Sequence, residues 1–507
     1  MPGPMLVEAN KVVVRLYRIG HGDCFLLAFP GETLDKPVFV LIDCGYKPGS
    51  GTYIDGVTAA EVCADIREAT NGFVDVVIVT HEHQDHINGF TASNFEGITF
   101  GVAWFAWTED PDDAFANSLR KRFKDRLALL SDARNRLAAS TDAETAVKRI
   151  DDFLEFELGG EDLEFNGALA HGLLGAAAGG SANKRAMALV MSKADNKAEY
   201  LRPHEKAWKL PRVKTVRVFP LGPPKDEALL HSMDPAEGEG FPDRAFAAGS
   251  VNHFFASAVR SRGIDDGDAP FARRYRIDLN ADMAPTRPHQ FWTNYYAGPA
   301  DIELNCSLDR DEVRSDEAWR RIDRDWLYSA EALALDMNND TNNGSLVLAF
   351  ELSPGGKVLL FAADAQRGNW VSWSKGTWRD GSRKVDARDL LARTVLYKVG
   401  HHGSHNATLN GTDVDEYANL DWLGHGEHGD EFTAMITAVR KWADTQKGWD
   451  HPLPSIKEAL IAKASGRVFQ TDTETEAMTS NGSAAAWKKF KRRVSGNRLY
   501  VDYTIDV

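Results

Sequence analysis

From residue 11 onward, β-branched apolar runs alternate with breaks marked by Gly and Pro. KVVVRLYR (11–18), CFLLAF (24–29) and PVFVLID (37–43) read as strands on that ground. VTAAEVCADIREAT (57–70) changes to helical spacing through Val57, Ala60, Val62 and Ile66. VDVVIVT (74–80) is then a nearly unbroken apolar run, the pattern of a strand buried on both faces. Beyond it Phe115, Leu119, Phe123, Leu127 and Leu130 recur every three or four residues, which predicts an amphipathic helix. Thr141 followed by Glu144 offers a capping box for a second helix towards Leu154.

KTVRVF (214–219) returns to strand character, and 226–335 is rich in Gly, Pro and Asp with little periodicity. SLVLAFEL (345–352), an SPGG turn and KVLLFAAD (357–364) predict a hairpin. TVLYKVG (394–400), GRVFQ (466–470) and NRLYVDYTI (497–505) are the last strand candidates. The pattern describes an α/β core in pieces: 11–110 as its first half, 211–225 as a core strand and 340–507 as its second half. A helical insertion (111–200) and an irregular one (226–338) separate them.

Composition narrows the class. With 43% hydrophobic and 26% charged residues, the 507-residue chain matches a soluble globular enzyme. No apolar run approaches the roughly 20 residues of a membrane span, and MPGPMLVEANKVVV lacks a signal-peptide pattern. Cys24, Cys44, Cys63 and Cys306 form no CxxC pair, so buried free thiols in a reducing compartment are expected rather than disulfides or a thiolate metal site. A cytoplasmic location without a membrane partner follows as the expectation. A net charge of −15 excludes general electrostatic coating of nucleic acid but leaves room for a locally basic groove. Two basic clusters could supply one: Arg120, Lys121, Arg122, Lys124 and Arg126, and Lys488, Lys489, Lys491, Arg492 and Arg493. Trp487 and Phe490 beside the second could stack on bases; a solvated helix face is the plainer reading of both.

The chemistry concentrates in THEHQDHINGF (80–90). Directly after the buried strand come His81, His83, Asp85 and His86. Alternate residues of an extended chain point the same way, so His81 and His83 can share one ion while Asp85 and His86 turn towards a neighbouring one. Imidazole and carboxylate suit zinc, with manganese or iron as alternatives.

HxHxDH after a buried strand resembles the best-known motif of the metallo-β-lactamase superfamily. Further matches follow in order: VLIDCG (40–45) with Asp43, FAADAQ (361–366) with Asp364, and YKVGHHGSHNAT (397–408) with His401 and His402. IGHGDCFLL, NNGSLVL and KVGHHGS narrow the likeness to soluble relatives of the hydrolase domain in competence DNA-uptake (ComEC-like) proteins. The resemblance covers the core segments and not the insertions. It implies an αββα metallo-β-lactamase sandwich carrying two zinc ions at one edge. It also implies metal ligands His81, His83, Asp85, His86, Asp364 and His401, with Asp364 bridging. Asp85 would orient the nucleophile and accept its proton. Asp43 would fix imidazole tautomers, and His402 would orient substrate or move a proton. Asn342, Asn343 and Ser345 are expected to hydrogen-bond the loops around the site. The superfamily's further histidine is missing: VFPLGPP (218–224) has Gly222 where it is sought, and neither His171 nor His204 ends a convincing strand. Ala363 replaces the usual Gly before the bridging Asp.

The resemblance implies a binuclear hydrolase in which a metal lowers the pKa of water from 15.7 to roughly 7, acting on a phosphodiester such as single-stranded nucleic acid. Fold alone does not give substrate. Hydrolysis of a small ester, thioester or lactam, and a non-catalytic metal-containing partner-binding role, stand as the alternatives.

Overall fold

The apolar runs pair into two mixed sheets in the computed structural model, which describes residues 3–33, 35–138, 144–159, 180–236, 239–241, 328–411, 417–446 and 449–507. Thr141, His171, Cys306 and most of 226–338 lie outside the described residues. The chain divides into two units. One comprises Met1–Ala128, Asp151–Ala247 and Leu335–Val507, the other Leu129–Ile150 and Ala248–Ala334. The described residues of the second unit are all helical.

In the first unit the chain forms β1 (Lys11–Tyr17), β2 (Phe25–Phe29), β3 (Val38–Ile42), β4 (Phe73–Ile78), β5 (Thr99–Ala106) and β6 (Ala198–Leu201). It continues through β7 (Trp208–Lys209), β8 (Arg217–Gly222), β9 (Val347–Glu351) and β10 (Val358–Phe361). A separate hairpin, β11 (Thr377–Asp380) and β12 (Arg383–Asp386), precedes β13 (Thr394–Lys398), β14 (Thr433–Ile436) and β15 (Val468–Gln470). β16 (Val494–Gly496) and β17 (Tyr500–Asp506) close the chain. The first sheet has the order β16-β17-β1-β2-β3-β4-β5-β6 and the second β15-β14-β13-β10-β9-β8-β7. β3 to β6 are parallel, as are β10, β13, β14 and β15; the remaining neighbours are antiparallel.

Strand periodicity explains the layers. Val12, Val14, Phe25, Leu27, Val40 and Ile42 share one face of the first sheet and pack against Leu348, Phe350, Leu359 and Phe361 of the second. Phe25 meets Phe361 edge-on, with ring centroids 5.3 Å apart. The opposite face of the first sheet, including Leu26 and Leu41, packs on Val62 and Ile66 of the helix Ala59–Thr70 and on Val190. That of the second, including Leu360 and Tyr397, packs on Trp370, Leu390 and Leu460. The fold is therefore α/β, with the sheets inside and helices on both outer faces. β5 and β14 are strands that the sequence pattern did not mark, and Gly101 interrupts the apolar run of the former. β6 lies within 111–200, where only helix was expected, and pairs with β5. No helix among the described residues is long and apolar enough to cross a membrane.

The two ends of the chain are tied through one buried guanidinium. Arg15 on β1 donates to Asp65 Oδ2 at 2.6 Å and to both oxygens of Asp502 on β17 at 2.8 Å. Tyr17 donates its hydroxyl to Asp65 at 2.7 Å. Arg15→Met would leave two carboxylates without their cation. Losing one partner of a buried pair costs about 3–5 kcal/mol, so urea unfolding should show a loss of that order with an unchanged slope. A loss under about 1 kcal/mol would count against this account.

Candidate metal centre

The residues singled out by the sequence lie where parallel strands end, the usual place for a site in an α/β sheet. Asp43 follows β3, His81 to His86 follow β4, Asp364 follows β10, and His401 and His402 follow β13. Asp43 takes a left-handed backbone conformation (φ 54°). Its carboxylate accepts from Thr80 N at 2.8 Å, Thr80 Oγ1 at 2.6 Å and His86 Nδ1 at 2.8 Å. Asp43 thus orients the loop after β4 and one of its rings. Ser345, just before β9, lies 3.3 Å from His81 Nδ1 and accepts from Asp364 N at 3.2 Å. Leu346 N donates to Thr80 O at 2.9 Å.

The outer partners of the rings set their tautomers. A carboxylate only accepts, so His86 carries a proton on Nδ1 and turns Nε2 inward, and against burial Asp364, Asp23 and Asp43 raise this ring well above the usual imidazole range. Thr80 gives its hydroxyl proton to Asp43; His81 Nδ1 lies 3.1 Å from Thr80 Oγ1 and 3.3 Å from Ser345 Oγ, and its Nε2 turns towards His83. His83 Nε2 donates to Glu157 Oε1 at 2.8 Å, leaving Nδ1 bare and 3.1 Å from His81 Nε2. His402 Nδ1 donates to Thr437 O at 3.0 Å, so Nε2 is the nitrogen it turns towards the carboxylates.

The inward nitrogens of His86 and His402 face carboxylate oxygens. His86 Nε2 lies 3.2 Å from Asp364 Oδ2, and His402 Nε2 lies 3.2 Å from Asp85 Oδ2 and 3.4 Å from Asp364 Oδ2. Asp85, His86, Asp364 and His402 are all buried and offer ligand atoms within 4.8 Å of one another. Asp85 Oδ1, His86 Nε2, Asp364 Oδ1 and His402 Nε2 have no hydrogen-bond partner. Lys47 and Lys398 stand 3.7 Å from Asp85 and 3.6 Å from Asp364, beyond hydrogen-bond reach. Leaving a buried polar atom unsatisfied costs about 1–3 kcal/mol, and these four point at one another. A cation among them satisfies all at once, so the group could hold a metal ion. Asp23, Asp43 and His86 form a second such group. There Asp43 is taken up by its three donors and Asp23 by Lys398 at 2.5 Å.

The electrostatics agree. Burial opposes the charged form of Asp85, but Lys47, His402 and His86 hold it well below the usual carboxylate range. Asp364 is likewise held well below it against burial, by His402 and His86. Burial disfavours charge on His402, yet Asp364 and Asp85 raise it to about 9. Burial brings Lys47 down to about 8 despite Asp85. In effect a proton on His402 stands in for a cation.

The sequence favours His401 as ligand, with His402 orienting substrate or moving a proton; in the structure it is His402 whose Nε2 lies against Asp85 and Asp364. Both have positive φ, 40° and 52°. His402 points into the acidic group, whereas His401 Nδ1 faces Ser404 Oγ at 2.8 Å and its Nε2 accepts from Asn342 at 3.3 Å. Burial lowers His401 to about 4. Gly222 has no room for a ligand: a Cβ there would come within 2.1 Å of Asn369 Oδ1. Asn343 donates to the carbonyls of Leu230 and Ser232, away from the rings. Phe490 is buried, while Trp487 packs against the apolar core and stays half-buried.

Asp23, Lys47, Lys398 and Glu157 were not anticipated. Lys398 left a signal, a lone charge inside the apolar run TVLYKVG; Asp23 sits in IGHGDC, which was noted only as a likeness. No protein-family model matches this chain, and neither does any curated protein.

His402→Ala should strip bound metal from the purified chain, whereas His401→Ala should retain most of it; equal retention would count against the placement. Because His402 binds a proton up to about pH 9, metal uptake should displace that proton. Affinity should therefore rise with pH through about 9. Calorimetry in buffers of different ionisation enthalpy measures the protons released.

Proposed function

We propose that this chain is a metal-dependent hydrolase of the metallo-β-lactamase type, and that phosphodiesters are its substrates. The observation that carries the reading is the inward convergence of four imidazole nitrogens and the Asp85 and Asp364 carboxylates in a buried space. Helix–sheet–sheet–helix layering and the order of the residues along the chain support the family assignment. Asp85, His86, Asp364 and His402 would hold one ion. His81 and His83 would hold a second with Asp364, whose Oδ2 lies 4.0 Å from His81 Nε2. Zinc suits these donors best. Bound there, a divalent ion supplies Lewis acidity and makes a water nucleophile available near neutral pH.

The chain's own residues do the rest. Asp85 stays ionised, so it can orient a nucleophile and take its proton. Lys47 balances that carboxylate. Neutral His401, held by Ser404 and Asn342, borders the group and is placed to contact substrate. Lys398 neutralises Asp23 and Asp364 from beneath.

A cavity of about 450 Å³ reaches His81 and Glu157. One wall is the helix Ala114–Ala138, which supplies the first basic cluster. Arg122 and Arg126 are paired with Glu227 and Asp340. Lys121 and Lys124 line the cavity with no ion pair among the described residues, which suits an anionic substrate. Leu119, Phe123 and Leu158 add an apolar surface, and a small apolar ester is the second reading that this surface favours.

Metal analysis of the purified chain alongside hydrolysis of bis-(p-nitrophenyl) phosphate tests the proposal. Two ions per chain are expected, with turnover in the wild type. Asp364→Asn should lower it by more than about 100-fold, the upper range for outer-shell partners alone, with the thermal midpoint of the apoprotein little changed. Full turnover in that variant would refute the assignment. Ester hydrolysis without phosphodiester hydrolysis would select the second reading.

A further inference from the structure

We propose that Glu157 is a positioning residue for the metal centre, holding His83 in the tautomer that turns Nδ1 inward as a ligand. The inference rests on the hydrolase reading above and adds a residue from outside every segment that carries the family resemblance. Glu157 lies in the last turn of the helix Glu144–Leu158. Its Oε1 accepts from His83 Nε2 at 2.8 Å, and both side chains are nearly sealed from water. Because a carboxylate has no proton to give, that contact fixes the ring proton on Nε2. His83 Nδ1 must then present its lone pair towards His81 Nε2, 3.1 Å away.

The surroundings hold Glu157 in place. The Asn183 side-chain amide donates to Glu82 O at 2.8 Å, Phe156 O at 3.1 Å and Glu157 O at 3.0 Å. One side chain therefore clamps the helix end to the loop that bears His81 and His83. Gly159 makes this possible: it ends the helix in the left-handed region (φ 65°), its N–H donates to Glu155 O at 2.8 Å, and a Cβ there would come within 2.1 Å of Asn183 Oδ1. The Phe156 ring packs on His83 at 4.2 Å between centroids.

The arrangement matters because position 222 offers no histidine. An ion held by His81 and His83 has fewer protein donors than the resemblance implies, so the basicity of each ring counts for more. A carboxylate on the outer nitrogen raises that basicity and fixes the ring's orientation, and losing such a partner typically costs 10–100-fold in metal affinity.

Chelator competition on the full-length protein tests this with zinc alone as the probe. Glu157→Ala should weaken one of two zinc ions by about 10–100-fold. Glu157→Gln, whose carbonyl still accepts from Nε2–H, should fall between Ala and wild type. Wild-type affinities for both ions in Glu157→Ala would overturn the inference while leaving the hydrolase reading intact. Failure of the wild type to bind zinc would overturn the hydrolase reading itself. Histidine-selective ¹⁵N NMR of the unsubstituted apoprotein, assigned with His83→Ala, gives an answer even where Glu157→Ala does not fold. A protonated Nε2 on His83 is expected, and a protonated Nδ1 would overturn the proposal.

Discussion

Four carboxylates, Asp23, Asp43, Asp85 and Asp364, converge in a region almost closed to water, each no more than 2% exposed. Charges so placed must be paired or carry a heavy desolvation cost. Much of the structure around the strand ends answers that constraint. Asp43 is met by Thr80 and His86, Asp23 by Lys398, Asp85 by Lys47 and His402, and Asp364 by His86 and His402. Lys398 ends a fully buried strand and also donates to Ala363 O at 2.9 Å, a location a lysine tolerates only with carboxylates beside it. The protein therefore gathers acidity at these strand ends and neutralises it in part, and the inward-facing remainder could hold a cation.

How much of this could be read beforehand depended on whether the information was local. HxHxDH lies within six residues and follows a strand whose apolar run is unmistakable. Asp43 and Asp364 were legible because each ends a strand of the same kind. His401 and His402 were not separable, since two successive left-handed residues between Gly400 and Gly403 decide which ring turns inward. No spacing rule encodes that. Glu157 was invisible for another reason: it is one of several acidic residues in EFEL and its neighbours, and only the clamp by Asn183 brings it to His83.

The fold was legible in outline wherever apolar runs were bounded by turns. It was less so for β5, which contains Gly101, and for β14, which is four residues long. The helix expected over 57–70 from its apolar spacing starts at a cap which that spacing did not mark. Thr58 and Glu61 form a reciprocal capping box at the head of Ala59–Thr70, one residue beyond the Val57 at which the periodicity began.

The contact of Leu346 N with Thr80 O, together with Ser345 between His81 and Asp364, spans the gap between the two sheets. Besides other polar crossings such as Lys398 with Asp23 and Thr433 with Tyr503, most of what lies between them is an apolar interior, whose attraction is non-directional and sets no fixed lateral offset. The polar seam does. It acts as a locating pin, holding one sheet in a definite alignment over the other, so the ligands at the edge keep their spacing when the interior repacks. Substitutions in that interior should accordingly be felt as softness rather than as misalignment, until one reaches the seam itself.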